Sequence, residues 1–157
     1  MIQRIQTLLL LVAVICFVAA CFMPVGHITS HDTYYRITPW VLKVDISDGK
    51  IIHPTYFIGM LQALLAIISF IAIFLYKKRT VQSKFCTAAI IVNFILIITM
   101  LWVYPNHVFP KITYLSGAEV EYSLWTLLSI VPLICLYFAN KFIIRDEKMV
   151  RAADRLR

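Results

Sequence analysis

The sequence predicts an all-α membrane fold: an antiparallel four-helix transmembrane bundle with small β-hairpins in its outer loops and a cytoplasmic C-terminal helical extension. Three observations carry that expectation. Four stretches, Ile5–Val25, Tyr56–Tyr76, Phe85–Tyr104 and Ser123–Ile144, are long and apolar, with Lys141 near one end as their only Asp, Glu, Lys or Arg. Basic residues concentrate in the segments that join or extend these stretches on one side. On the other side, the loops alternate apolar and polar residues.

Composition supports the membrane reading. The chain is 61% hydrophobic and 15% charged, against roughly 25% charged residues in soluble domains. A helix needs about 20 residues to cross a bilayer, and each of the four stretches reaches that length. A chain of 157 residues is too small to bury four such helices in a water-soluble core. It reads as a single membrane domain, residues 1–157, with outer loops 26–55 and 105–122 and a tail 145–157.

In the first span, Val18-Ala19-Ala20-Cys21 resembles a lipobox. Apolar character continues through Phe22, Met23, Pro24 and Val25, where a lipoprotein would turn polar, so the segment reads as an uncleaved span. Ala13, Cys16 and Ala20 in this span, and Gly59, Ala63 and Ala66 in the second, are small enough to let helix backbones approach closely. The connection between the second and third spans is short, which forces those helices antiparallel. Pro24 and Pro105 are expected where helices stop, and Pro132 inside the fourth span predicts a local kink. Asn93 is expected to hydrogen-bond across the bundle near mid-membrane. The spans offer no carboxylate or histidine, which argues against an ion-coupled transporter.

The outer loops read as two hairpins. Leu42, Val44 and Ile46 alternate with polar residues before Asp48-Gly49 and Lys50-Ile51-Ile52, a strong turn signal. A weaker hairpin runs from Ile112 and Tyr114 through Ser116-Gly117 to Ala118, Val120 and Tyr122. The two are expected to pair as a small platform, since a lone hairpin is marginal. Tyr and Trp residues near this boundary, including Tyr34, Trp40 and Trp102, suit an interfacial aromatic belt. All four histidines lie on this side, and His27, His53 and His107, with Glu119 as a further ligand, form a candidate zinc or copper set without diagnostic spacing.

Charge sets the orientation. Eleven Lys or Arg and three acidic residues (Asp146, Glu147, Asp154) fall on the side of both termini, giving +8; four Lys or Arg and five acidic residues fall opposite, giving −1. The basic side is the cytoplasmic one, and anionic headgroups there, at about 1 kcal/mol per Lys or Arg, account for the basic excess without nucleic acid. In the tail, Phe142, Met149, Ala152, Ala153 and Leu156 share a helical stripe opposed by Lys148, Arg151 and Arg155. Arg145, Lys148, Met149, Arg151, Arg155 and Leu156 are the candidate interaction residues, toward either lipid or a protein partner.

Catalytic signatures are missing. No G-x-S-x-G, H-E-x-x-H or P-loop pattern occurs, and the four cysteines, all in or at the edges of spans, include no C-x-x-C pair accessible for thiol exchange. No cofactor is expected. Both ends, MIQRIQT at Met1–Thr7 and ANKFIIRDEKMVRAADRLR at Ala139–Arg157, resemble the terminal motifs of a small four-span membrane-protein family of Bacteroidetes-type bacteria, domain of unknown function 4293. That resemblance implies an inner-membrane location in a Gram-negative cell and brings no activity, cofactor or catalytic residue. The expected role is a non-enzymatic accessory or scaffolding subunit of a larger membrane assembly. The alternative is an outer-face metal, quinone or lipid site, with or without catalysis.

Overall fold

A computed structural model describes residues 2–30, 33–44, 51–112 and 119–155. It corrects the expected fold class. A five-stranded antiparallel sheet joins four helices, so the chain is mixed α/β and not an all-α bundle with minor hairpins. The helices are α1 (Ile2–Ala20), α2 (Tyr56–Phe74), α3 (Arg79–Ile98) and α4 (Leu127–Arg155).

Three helical stretches, Tyr56–Phe74, Arg79–Lys111 and Leu124–Val150, are long and apolar enough to cross a membrane; the apolar part of α1, Ile5–Ala20, is shorter. The first stretch therefore stops short of Val25, because Val25 already belongs to the sheet network. It donates to Ile37 O and accepts from Ser123 N and Thr126 Oγ1. The third stretch does the reverse and runs past Pro105. From Thr99 to Val108 it widens into a π-helix, then closes with a 3₁₀ turn at Phe109–Lys111. Pro105 has no N–H to give, and carbonyls in the turn before it accept from side chains: Leu101 O from the Tyr122 hydroxyl and Trp102 O from Asn106 Nδ2.

Each helix packs on two others, in the cycle α1, α2, α3, α4 and back to α1. Their buried positions recur at alternating steps of three and four. On α1 these are Gln6, Leu10, Ala13, Phe17 and Ala20; on α2, Ile58, Gln62, Leu65, Ser69 and Ala72. On α3 they are Gln82, Cys86, Ala89, Asn93 and Leu96, and on α4, Ser129, Leu136, Ala139, Ile143 and Asp146, with Pro132 in the same series. This spacing is that of knobs-into-holes packing at shallow crossing angles. Many Leu, Ile and Phe outside these seams, such as Leu8, Ile67, Phe70, Ile91, Phe94 and Ile134, face outward and exposed, as lipid-facing residues do.

The sheet has the order β4-β3-β2-β1-β5, from β1 (Gly26–Ser30), β2 (Thr33–Ile37), β3 (Val41–Val44), β4 (Ile51–Pro54) and β5 (Glu119–Tyr122). The expected β3–β4 pairing is present, with Leu42 opposite His53; the Asp48-Gly49 turn lies outside the described residues. The second hairpin is corrected. Ile112 is not in a strand, Tyr114 and Ala118 lie outside the described residues, and β5 pairs with β1, Glu121 standing opposite His27. One face of the sheet buries Ile28, Tyr35, Ile37 and Leu42. The other presents Arg36, Lys43 and Glu121, exposed.

Short bonds tie this sheet to the helix ends. Thr55 Oγ1 donates to Thr38 O at 2.8 Å, and Trp40 Nε1 to Cys21 O at 2.8 Å. Gly59 lies under the Trp40 ring, where an added Cβ would sit 2.8 Å from ring carbons. The small residue there admits an aromatic cap from the loop, not only a neighbouring helix.

Candidate functional site

The outer histidine set is not assembled. His27 lies on β1 and His53 on β4, three strand spacings apart, or about 14 Å at 4.8 Å per strand. They also lie on opposite faces: His27 stands opposite Arg36 and Glu121, whereas His53 stands opposite Leu42, on the buried face. His107 is exposed in the π-helical segment and meets the Trp102 ring edge-on at 5.4 Å. Glu119 is opposite Thr29 in the register, and its side chain lies outside the described residues. Among the described residues no three His, Cys, Asp or Glu side chains form a metal-binding group.

A polar junction lies toward the sheet end of the helices, at the second turn of α2 and the first turn of α4. Gln62 Nε2 of α2 donates to Ser129 Oγ of α4 at 3.1 Å. With its amide oriented to suit its neighbours, Asn93 of α3 donates to Ser129 O at 3.1 Å and accepts from Leu133 N at 3.3 Å. Those two backbone groups face each other one helical turn apart, beside Pro132. The proline deprives α4 of one ladder bond, and Asn93 takes up the backbone donor and acceptor beside it. The expected cross-helix role of Asn93 is thus realised on backbone groups of α4.

The opposite end of the helices from the sheet holds a second junction, which the sequence reading did not foresee. Gln6 and Asp146 are 6% and 5% exposed, and Gln6 Nε2 donates to Asp146 Oδ2 at 2.7 Å across 140 residues of chain. Arg79, at the start of α3, donates to the backbone carbonyl of Asp146 at 3.3 Å. Gln82 Nε2 reaches Ala72 O at 3.0 Å, closing α3 on α2. Asp146 Oδ1 has no hydrogen-bond partner. In the sequence Asp146 counts only as one of the acidic residues on the side of the termini; the structure makes it the last packed position of the α4 seam. Extending the buried spacing from Leu136, Ala139 and Ile143 by three residues would have found it.

Beyond Asp146, α4 continues to Arg155 without a break. Arg145, Lys148 and Met149 are exposed on it. Arg151 and Arg155 follow on the same helix with side chains outside the described residues, and Leu156 is wholly outside them. A neighbouring α3–α4 contact is also polar: Ser83 Oγ donates to Asn140 Oδ1 at 2.8 Å, and Asn140 Nδ2 to Thr87 Oγ1 at 3.1 Å.

A family model described as Domain of unknown function (DUF4293) matches residues 2–156. The chain belongs to that family. A comparison with curated proteins found no match. The DUF4293 match takes in both chain ends, and in this member those ends meet: Gln6 lies in the first terminal motif and Asp146 in the second.

Proposed function

We propose that this DUF4293 member is a non-enzymatic accessory or scaffolding subunit of a larger assembly in the inner membrane of a Gram-negative, Bacteroidetes-type cell. In this reading the chain crosses the bilayer four times with both termini in the cytoplasm, the sheet facing the periplasm and the end of α4 meeting a partner protein. The observation that carries it is the length of α4. Its 29 residues extend about 44 Å, against about 30 Å of hydrocarbon, and the surplus lies beyond an Asp146 fixed by Gln6 and Arg79. A helix so anchored reaches a partner with little further ordering cost. The apolar part of α1, Ile5–Ala20, is short for a span, but Arg4 directly precedes it in the sequence, and long basic side chains at span ends reach the headgroups by snorkelling.

The test uses two measurements on cells expressing the full chain. A cysteine appended after Arg157 is expected to react with an impermeant maleimide only after the inner membrane is permeabilised; labelling in intact spheroplasts overturns the topology. Purification in mild detergent is expected to recover a stoichiometric partner that is lost on deleting residues 147–157. A monomer whose behaviour the deletion leaves unchanged overturns the subunit reading.

A further inference from the structure

An open groove of about 500 Å³ runs between α3 and α4, walled by Ile91, Phe94 and Ile95 on one side and Leu133, Ile134 and Tyr137 on the other. Its lining is wholly apolar. At Tyr137 it meets a second hollow of about 420 Å³, whose polar lining is Asn140, Lys141, Arg145 and Lys148. Among the described residues no carboxylate lines either hollow. Asn140 at the junction is held by Ser83 and Thr87, so the wall between the two is fixed. On α3, Lys84 is exposed, and Lys84, Thr87, Ile91 and Phe94 follow one helical stripe by their spacing.

We propose that this continuous groove is a binding site for one anionic phospholipid, with an acyl chain along Ile91, Phe94 and Ile134 and the phosphate among Lys84, Lys141, Arg145 and Lys148. The proposal rests on the membrane-spanning reading above and adds a specific ligand to it. Two features point to that occupant. The apolar hollow alone would accept any hydrocarbon, but three cations within eight residues of one helix, with no carboxylate in the hollow, complement a negative headgroup at the hydrocarbon boundary. The dimensions agree as well. Ile134 to Lys148 is 14 residues along α4, about 21 Å, close to the half-thickness of a bilayer with its headgroups, about 20–22 Å. Arg adds a forked donor suited to phosphate oxygens, which a lysine cannot supply. The Arg145 and Lys148 side chains then serve lipid, leaving Met149 and the turns beyond it for a protein.

Native mass spectrometry of the full chain in detergent, titrated with phosphatidylglycerol or phosphatidylcholine of identical acyl chains, tests the site. Wild type is expected to retain one phosphatidylglycerol at least tenfold more tightly than phosphatidylcholine, each cation contributing roughly fivefold at most. Combined Lys141→Gln, Arg145→Gln and Lys148→Gln is expected to abolish that preference, and Ile134→Trp to weaken both lipids by filling the groove. Millimolar inorganic phosphate is expected to leave the lipid in place. Equal retention of the two lipids by wild type overturns the proposal, as does displacement by inorganic phosphate, or a protein partner that occupies Arg145 and Lys148 and excludes lipid. To guard against misfolding of the triple variant, Arg145→Lys is measured beside it and is expected to keep the preference with a several-fold loss; an unchanged value removes the phosphate role of Arg145. Release of wild-type protein from membranes by alkaline carbonate would defeat the spanning reading itself, whereas retention without lipid preference defeats only this site.

Discussion

Replacing Gln6 by Ala removes the only side-chain donor to Asp146 among the described residues, leaving a carboxylate that is 5% exposed with both oxygens unbonded. A hydrogen bond to a charged group contributes about 1.5–3 kcal/mol net, and stranding a buried charge adds to the loss. The near-complete burial of both partners puts this one toward the upper end, so Gln6→Ala is expected to cost about 2–3 kcal/mol, or roughly 30–150-fold in the folding equilibrium. Asp146→Ala alone leaves the Gln6 amide buried and unpaired, at about 1–3 kcal/mol. The double variant strands neither group and loses only packing. Its cost is therefore expected to fall short of the sum of the two by about 1.5–3 kcal/mol. Reversible unfolding by SDS in mixed micelles, followed by tryptophan fluorescence, measures the cycle. Additivity within about 0.5 kcal/mol would show that the two side chains do not share a bond and that the chain ends are held together by packing alone.

Asn93→Leu is expected to cost about 1–2 kcal/mol in the same assay, since it deprives Ser129 O and Leu133 N of the bridge beside Pro132. In a Pro132→Ala background, where removing the ring and its clash with the preceding turn lets Leu133 N close directly on Ser129 O, the same change is expected to cost less than half as much; an equal cost refutes the coupling. Gly59→Ala places a methyl 2.8 Å from the Trp40 ring, so in a variant with Trp40 as sole tryptophan it is expected to red-shift emission and cost about 1–3 kcal/mol; unchanged emission refutes the close approach. Burial raises the Tyr122 phenol above its ordinary value. Its neutral form therefore stabilises the fold fully below pH about 10, and that contribution is lost as pH climbs through the raised value. Tyr122→Phe is expected to remove this alkaline decline in stability, and an identical decline in the variant refutes it.

The helices were legible because their apolar length exceeds anything a small soluble core can hide, and β3 and β4 because Asp48-Gly49 punctuates a clear alternation. β1 and β2 were not. Their alternation is present, with Ile28, Tyr35 and Ile37 buried between Thr29, Tyr34 and Arg36, but His31-Asp32 carries none of the glycine or asparagine signals that mark a tight turn. Tyr35, which by sequence is one more aromatic near that boundary, is buried in the sheet's inner face, unlike Tyr34, Trp40 and Trp102. β5 was legible as a strand but not in its pairing, because its partner β1 lies about ninety residues away in sequence and no local signal encodes such a contact. The histidine set failed for the same reason: depth along a helix can be read from sequence, whereas the face of a sheet depends on register. The basic residues of α4 were legible as a face, and the groove they border was not, since a hollow belongs to two helices at once.

The polar residues at seam positions follow a rule that depends on solvent. In the membrane-spanning reading proposed above, lipid tails are as apolar as Leu, so apolar packing alone gives α1 to α4 little reason to choose one pairing over another. Directed bonds supply the choice. Gln62 fixes α2 against α4 through Ser129, Asn93 fixes α3 against α4 at the same turn, Gln82 closes α2 on α3, and Gln6 holds α1 to α4. Each costs desolvation that a Leu would avoid, and each is directional enough that a slip by one residue along a helix would break it. At the sheet end of the helices the sheet does the same work with backbone bonds, Val25 joining β2 to the start of α4. The opposite end has no sheet among the described residues, and there the Gln6–Asp146 bond sets the register of α1 against α4.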